Sequence, residues 1–263
     1  MSDVVICKLD EEVAVATLNR PEQFNALNLE LAEKFSSLML DLSTDKNVRA
    51  IIITGSGKAF CAGGDLKWTL SYSRGAGPAL HELAGKFHMG VQEIRRMKKP
   101  VIAGINGVAA GAGFSLALAC DFRVMAKTAL LKQAYTSSGL SLDGGGTFTL
   151  PRLVGLARAM EIVAFDKPIS AEQALSWGLV TKIVDDDVLA ESLKMAHELA
   201  LGSLNSFGMC KRLLTDSFET SFEAQLERER KGIARSAMHS DGQEGIKAFV
   251  EKRKPVFFNR KSK

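Results

Sequence analysis

Residues 98–121 read KKPVIAGINGVAAGAGFSLALACD, and between residues 101 and 120 the chain carries no charge. A helical run ends at Pro100, and the five residues after it form the continuous apolar run expected of a strand covered on both faces. Gly107, Gly111 and Gly113 loosen the turn that follows, and good helix formers lead out of it. Such a turn first suggests a phosphate cradle. GxxxxGK[ST] is absent, however, and a bare G-x-G is weak support for a dinucleotide site.

Upstream, VRAIIITGSG (48–57) repeats the pattern: Ala50 to Ile53 form a second buried run, and GKAFCAGGDLKW (57–68) supplies a second glycine turn at Gly63 and Gly64. VVICKLDEEVAVATLN (4–19) reads as two β-rich runs around an acidic turn, a hairpin. Asn28 caps a helix with the stripe Leu31, Phe35, Leu38 and Leu42, and Leu83, Phe87, Val91 and Ile94 form another helical stripe. Strand and helix alternate with covered strands, so the core is an α/β stack of ββα or βαβ units. Ser170 with Gln173 is a capping box. Beyond it the character changes: 188–201, 207–214, 222–234 and the positions before Pro255 all look helical. The expected organisation is a core over residues 1–190 and a helical segment over 191–263 that covers the core or a neighbouring subunit.

With 46% hydrophobic and 24% charged residues the composition is that of an ordinary globular protein, and 263 residues can bury a substantial core. A net charge of +4 is small, and much of it lies in the tail KRKPVFFNRKSK (252–263). No nucleic-acid motif accompanies that charge, so no nucleic-acid partner is expected. Cys7, Cys61, Cys120 and Cys210 are far apart, which fits reduced cytosolic or organellar thiols better than a zinc site or a disulfide framework, and a cytoplasmic location is expected. The start lacks the basic and apolar regions of a signal peptide, and no apolar run reaches the ~18 residues of a membrane span.

The two glycine turns share one chemical property: each frees backbone N–H groups, and the second also opens a helix. Two such donors converging on one carbonyl oxygen make an oxyanion hole.

The segments LNRPEQFNALN (18–28), GKAFCAGGDL (57–66), KKPVIAGINGVAAGAG (98–113), LPRLVGLARAMEIV (150–163), ISAEQALSWGLVTKIV (169–184) and EGIKAFVEKRKP (244–255) resemble, in order, the crotonase superfamily of enoyl-CoA hydratases and isomerases. The resemblance implies the α/β crotonase fold of repeated ββα units with a C-terminal helical trimerisation region, in a homotrimer or dimer of trimers. It implies acyl-CoA thioester substrates and no metal or redox cofactor, coenzyme A being part of the substrate. By position the resemblance implies that the oxyanion donors are the amides of Gly64 and Ala112, that Ala26, Ala62, Asp65 and Leu66 line the pocket for the CoA adenine, and that Phe249 and Lys252 approach the CoA of an adjacent subunit.

Family hydratases use two glutamates, and their positions here hold Ser115 and Tyr135. Neither side chain, at its usual pKa, replaces a glutamate pair that activates water. The carboxylate available is Asp143, in SLDGGGTF (141–148). An Asp-Gly is ordinarily a turn, but 1,2-epoxyphenylacetyl-CoA isomerase-like members of the family carry a catalytic aspartate at this place. One carboxylate suffices for a 1,3-proton shift in an enoyl-CoA. A second alternative is a 4-chlorobenzoyl-CoA dehalogenase, in which Asp143 attacks the ring and His88, twelve residues before Pro100, activates water; Tyr135 then stands where that group has tryptophan. An atypical hydratase and a catalytically idle binding protein complete the alternatives. Residues 69–90 are expected to shape the acyl pocket as a loop made mobile by Gly75 and Gly77.

Overall fold

The computed structural model describes residues 3–185 and 187–258; the end of the basic tail, 259–263, lies outside them. The chain opens with the expected hairpin, β1 (Val5–Asp10) antiparallel to β2 (Val13–Leu18). α1 (Leu29–Thr44) follows, and its first turn is closed by Asn28, whose side chain accepts the Leu31 N–H at 3.0 Å. Then come β3 (Ala50–Gly55), β4 (Ala59–Cys61), α2 (Leu66–Ser71), α3 (Ala76–Arg96), β5 (Val101–Ile105), β6 (Val108–Ala110), α4 (Ala112–Ala119), β7 (Phe122–Ala126), β8 (Leu130–Lys132) and α5 (Gly146–Phe165). The remainder is β9 (Ile169–Ser170), α6 (Ala171–Ser176), β10 (Lys182–Val184), α7 (Val188–Ala200), α8 (Leu204–Asp216), α9 (Phe222–Met238) and α10 (Ser240–Val250). Ser170 and Gln173 form the capping box of α6.

Two sheets organise the core. The larger runs β1-β2-β3-β5-β7-β10 and is parallel from β2 onward; the smaller runs β4-β6-β8-β9. Each long central strand thus continues into a three-residue strand of the second sheet and then into helix: β3-β4-α2-α3, β5-β6-α4, β7-β8-α5. This is the expected ββα repeat. Every residue of β3 and β5 is buried, as strands covered on both faces require. α1 packs on α3, and Gly90 permits it, since a Cβ there would lie 2.7 Å from the Phe35 ring. Phe35 is fully buried, worth about 1.5–3 kcal/mol for such a ring.

Two expectations change. The stretch 69–90 is mostly helix and not loop: α3 begins at Ala76, and only Gly75, at φ +88°, supplies a turn. The division expected at residue 190 falls inside α7, which packs on β2, β3, β5 and β7 and so completes the core's cover. The helices beyond it are loosely packed. α8 has no buried residue, α9 buries Gly232 and α10 buries Ala248. Lys211 ties α8 to the core through Asp121 Oδ2 at 2.7 Å and the Ile94 carbonyl at 2.6 Å. Burial pushes the Asp121 carboxyl above its ordinary value against the pull of Lys211. All four cysteines are free, and burial pushes the Cys61 and Cys120 thiols up to about 12. No helix among the described residues is long and apolar enough to cross a membrane.

Candidate active site

The two glycine turns meet. A Cβ on Gly63 would lie 3.1 Å from the Ala110 carbonyl oxygen, and one on Gly111 would lie 3.2 Å from the Gly63 Cα. Gly63 and Gly111 take φ of +102° and +53°, which glycine adopts without strain. Gly64 forms a parallel bridge with Leu27, in which the Leu27 N–H bonds the Gly63 carbonyl and the Asp65 N–H bonds the Leu27 carbonyl. That pattern uses the groups flanking Gly64 and turns its own N–H the other way. Ala112 opens α4, where first-turn N–H groups have no intrahelical acceptor. Gly113 lets α4 close on β4, since a Cβ there would stand 2.1 Å from the Cys61 carbonyl oxygen.

Gly64 and Ala112 line one cavity of about 180 Å³ together with Tyr135 and Asp143. Leu80, Leu83, Ala84 and Phe87 of α3 form an apolar wall. The cavity therefore joins two candidate oxyanion donors, one carboxylate and an apolar lining.

Asp143 sits on a turn seated against α3 and α4. A Cβ on Gly144 would lie 2.9 Å from both the Phe87 ring and Ser115 Cβ, and one on Gly146 would lie 2.7 Å from Ser115 Oγ. The Ser115 hydroxyl is fully buried beneath this turn, beside the Tyr135 phenol. The Tyr135 hydroxyl donates a short hydrogen bond to Asp143 Oδ1. Burial, and then the charge of Asp143, push the Tyr135 phenol far above its ordinary value, so it stays a donor. His88 Nε2 accepts the Gly144 N–H at 3.1 Å and stands 3.7 Å from Asp143 Oδ2. His88 lies against Asp143 but outside the 180 Å³ cavity; it borders a second one of about 630 Å³.

The residues expected around an adenine are split between wall and rim. Ala62 and Leu66 line the cavity and are exposed; Ala26 is buried, and Asp65 caps α2 by accepting the Trp68 N–H at 3.0 Å. Arg20, which sequence reasoning missed, joins them: it donates to the Ala26 carbonyl and to Asp65 Oδ2. Desolvation, the largest single influence on Asp65, acts upward, but the Trp68 N–H and Arg20 outweigh it and hold the carboxyl low. Arg20 lies inside the quoted motif LNRPEQFNALN, but nothing local marks a partner 45 residues away. Phe249 and Lys252 are exposed at the end of α10 and do not border this chain's own cavity. One group among the described residues has metal-ligand spacing, Glu11, Glu12 and His197, with ligand atoms within 4.8 Å of one another. His197 already contacts Glu12 at 3.3 Å and Asp10 at 2.9 Å, and none of these residues lines the cavity.

A sequence model described as enoyl-CoA hydratase/isomerase matches residues 8–260. The chain is 35% identical to the 1,2-epoxyphenylacetyl-CoA isomerase of Escherichia coli K12, covering 98% of this chain and 99% of that one. It is 38% identical to a probable enoyl-CoA hydratase of Rhodobacter capsulatus, covering 96% and 97%. Its fold superposes on the crystal structure of a Polaromonas enoyl-CoA hydratase with a TM-score of 0.90 and 37% identity, over 95% of this chain and 98% of that one.

Proposed function

The chain belongs to the enoyl-CoA hydratase/isomerase family, with the crotonase fold, and on that premise we propose that it shifts a carbon–carbon double bond in an enoyl-CoA thioester. The observation that carries this reading is that one carboxylate, Asp143, shares a cavity with the Gly64 and Ala112 amides while Ser115 and Tyr135 occupy the hydratase glutamate positions. In a 3-enoyl-CoA the carboxylate takes a proton from C2. The electrons of that C–H bond move into a dienolate, whose oxygen accepts hydrogen bonds from Gly64 and Ala112. The protonated carboxyl returns the proton to C4, and the double bond comes to rest between C2 and C3. Atoms and charge balance without a metal or redox cofactor. Tyr135, by donating to Oδ1, orients the carboxylate.

The same reading makes the protein a cytoplasmic homotrimer or dimer of trimers in which Phe249 and Lys252 reach a neighbour's CoA. Ala26, Ala62, Asp65 and Leu66 then hold the adenine, with Arg20 bracing Ala26 and Asp65.

Asp143→Asn keeps the shape and removes the base. Turnover of a 3-enoyl-CoA falls by about a hundredfold or more, while CoA-ester binding by calorimetry stays close to wild type. Isomerisation at the wild-type rate in this variant sinks the assignment. One observation favours a second reading, dehalogenation of a 4-halobenzoyl-CoA: His88 stands 3.7 Å from Asp143 Oδ2. That chemistry needs the Nε2 lone pair as a base, and the Gly144 N–H occupies it. Halide release from 4-chlorobenzoyl-CoA, assayed beside the double-bond shift, separates the two.

A further inference from the structure

Asp143 has two oxygens, and its surroundings treat them differently. Oδ1 accepts from Tyr135; Oδ2 faces His88 across 3.7 Å, beyond hydrogen-bond reach. The His88 ring belongs to α3, while the Gly144 N–H it binds lies 56 residues further along the chain, directly after the carboxylate. A backbone N–H can only donate, so an Nε2 that accepts it carries no proton, and the ring is neutral with its proton on Nδ1. We infer that His88 is a positioning residue: its bare Nε2 latches the Gly144 amide, fixes the turn that carries Asp143, and leaves Oδ2 free to take a proton from substrate. The inference rests on the reading of Asp143 as the proton-transfer group.

The latch has a chemical off-state. A protonated ring cannot accept from Gly144, because its Nε2–H would point at the amide N–H. That Nε2–H is drawn instead to Oδ2, which engages the base. One proton taken up at His88 thus loosens the turn and occupies the carboxylate together. Asp143 stands beside this ring, and Arg95 and Arg96 of α3, Arg212 and Asp216 of α8 and Glu219 just beyond it border the same cavity.

Two substitutions divide the possibilities. Glutamine places Oε1 near the position of Nε2 and accepts from Gly144, but it takes up no proton; leucine fills space and accepts nothing. With a 3-enoyl-CoA as substrate, His88→Gln keeps kcat within about threefold of wild type at neutral pH. His88→Leu loses about tenfold or more in kcat with KM changed by less than about twofold, and still binds CoA esters. The inference is overturned if His88→Gln is as inactive as Asp143→Asn, because His88 then does chemistry. It is equally overturned if the leucine variant matches wild type. Nitrogen-15 NMR of the resting enzyme gives a readout independent of any substrate. A neutral ring protonated on Nδ1, with its Nε2 hydrogen-bonded to the Gly144 amide, is expected, and a ring protonated on Nε2 at neutral pH refutes the latch. If wild type shifts no double bond at all, the isomerase reading fails while the imidazole spectrum still decides the latch.

Discussion

Tyr135 is eight per cent exposed and holds its proton against Asp143. Burial first, and the neighbouring carboxylate second, raise its folded pKa, which has a consequence for stability. A group whose folded pKa is raised contributes stability that is fully present below the unfolded value, about 10 for a phenol, and is lost as pH rises above it. Wild-type unfolding free energy should therefore fall above pH 10 by about 1.4 kcal/mol per pH unit more steeply than that of Tyr135→Phe. Urea unfolding of both proteins between pH 8 and 11 measures the difference, and parallel curves would mean that the phenol is not held by Asp143. Ser115 teaches a different lesson. The family resemblance marks its position as one where hydratases carry a glutamate, and the structure adds that the Asp143 turn packs directly on it, a Cβ on Gly146 standing 2.7 Å from its Oγ.

At the scale of elements, the glycines of the Asp143 turn hold it down on α3 and α4. Gly144 has φ +60° and contacts of 2.9 Å awaiting any Cβ, from Phe87 and from Ser115. Gly144→Ala is expected to cost on the order of 2 kcal/mol of stability and to lower kcat, since the turn must lift away from its seat. Gly85→Ala is the matched control. It lies inside α3, exposed, with nothing within 4 Å of a new Cβ, and should gain about 0.5–1 kcal/mol. Chemical denaturation reads both, and a neutral Gly144→Ala would refute the seating. The same elements explain what was legible beforehand. β3 and β5 announce themselves as apolar runs, and the α1 cap and stripe are local signals. β4, β6 and β8 are three residues each, too short for a periodic pattern, so they read as parts of glycine turns. The start of α3 was obscured by Gly75, Gly77 and Pro78, although proline in a helix's first turn removes only an N–H that has no acceptor. Gly64, Ala112 and Asp143 could be placed by motif. The Gly144–His88 bond joins turns that are distant in sequence, and spacing alone carries neither its direction nor the side of Asp143 on which His88 lies.

Among the apolar faces left exposed on the described residues, two are unlike one another. On α9, Phe222, Leu226 and Ile233 fall at spacings of four and seven, a single helical stripe, and all three are exposed. The sole buried residue of α9 is Gly232, which is too little packing to support a helix of 17 residues in water. On α5, Leu156 and Met160 are likewise exposed, one turn apart. A face that meets its own copy builds a two-fold dimer, whereas two different faces that meet each other build a ring. Contact between the α9 stripe of one copy and the α5 face of the next is therefore the arrangement expected in a homotrimer. Analytical ultracentrifugation should find the 28.4 kDa chain as three copies or a multiple of three. Leu156→Glu and Ile233→Glu should each sediment as monomers. Mixed in equal amounts they should form dimers, because one intact α5 face then meets one intact α9 stripe and the ring cannot close. Activity should fall in every such species if Phe249 and Lys252 serve a neighbour's site. A wild-type monomer with full turnover would refute the ring, and a mixture that stays monomeric would refute the pairing of these two faces.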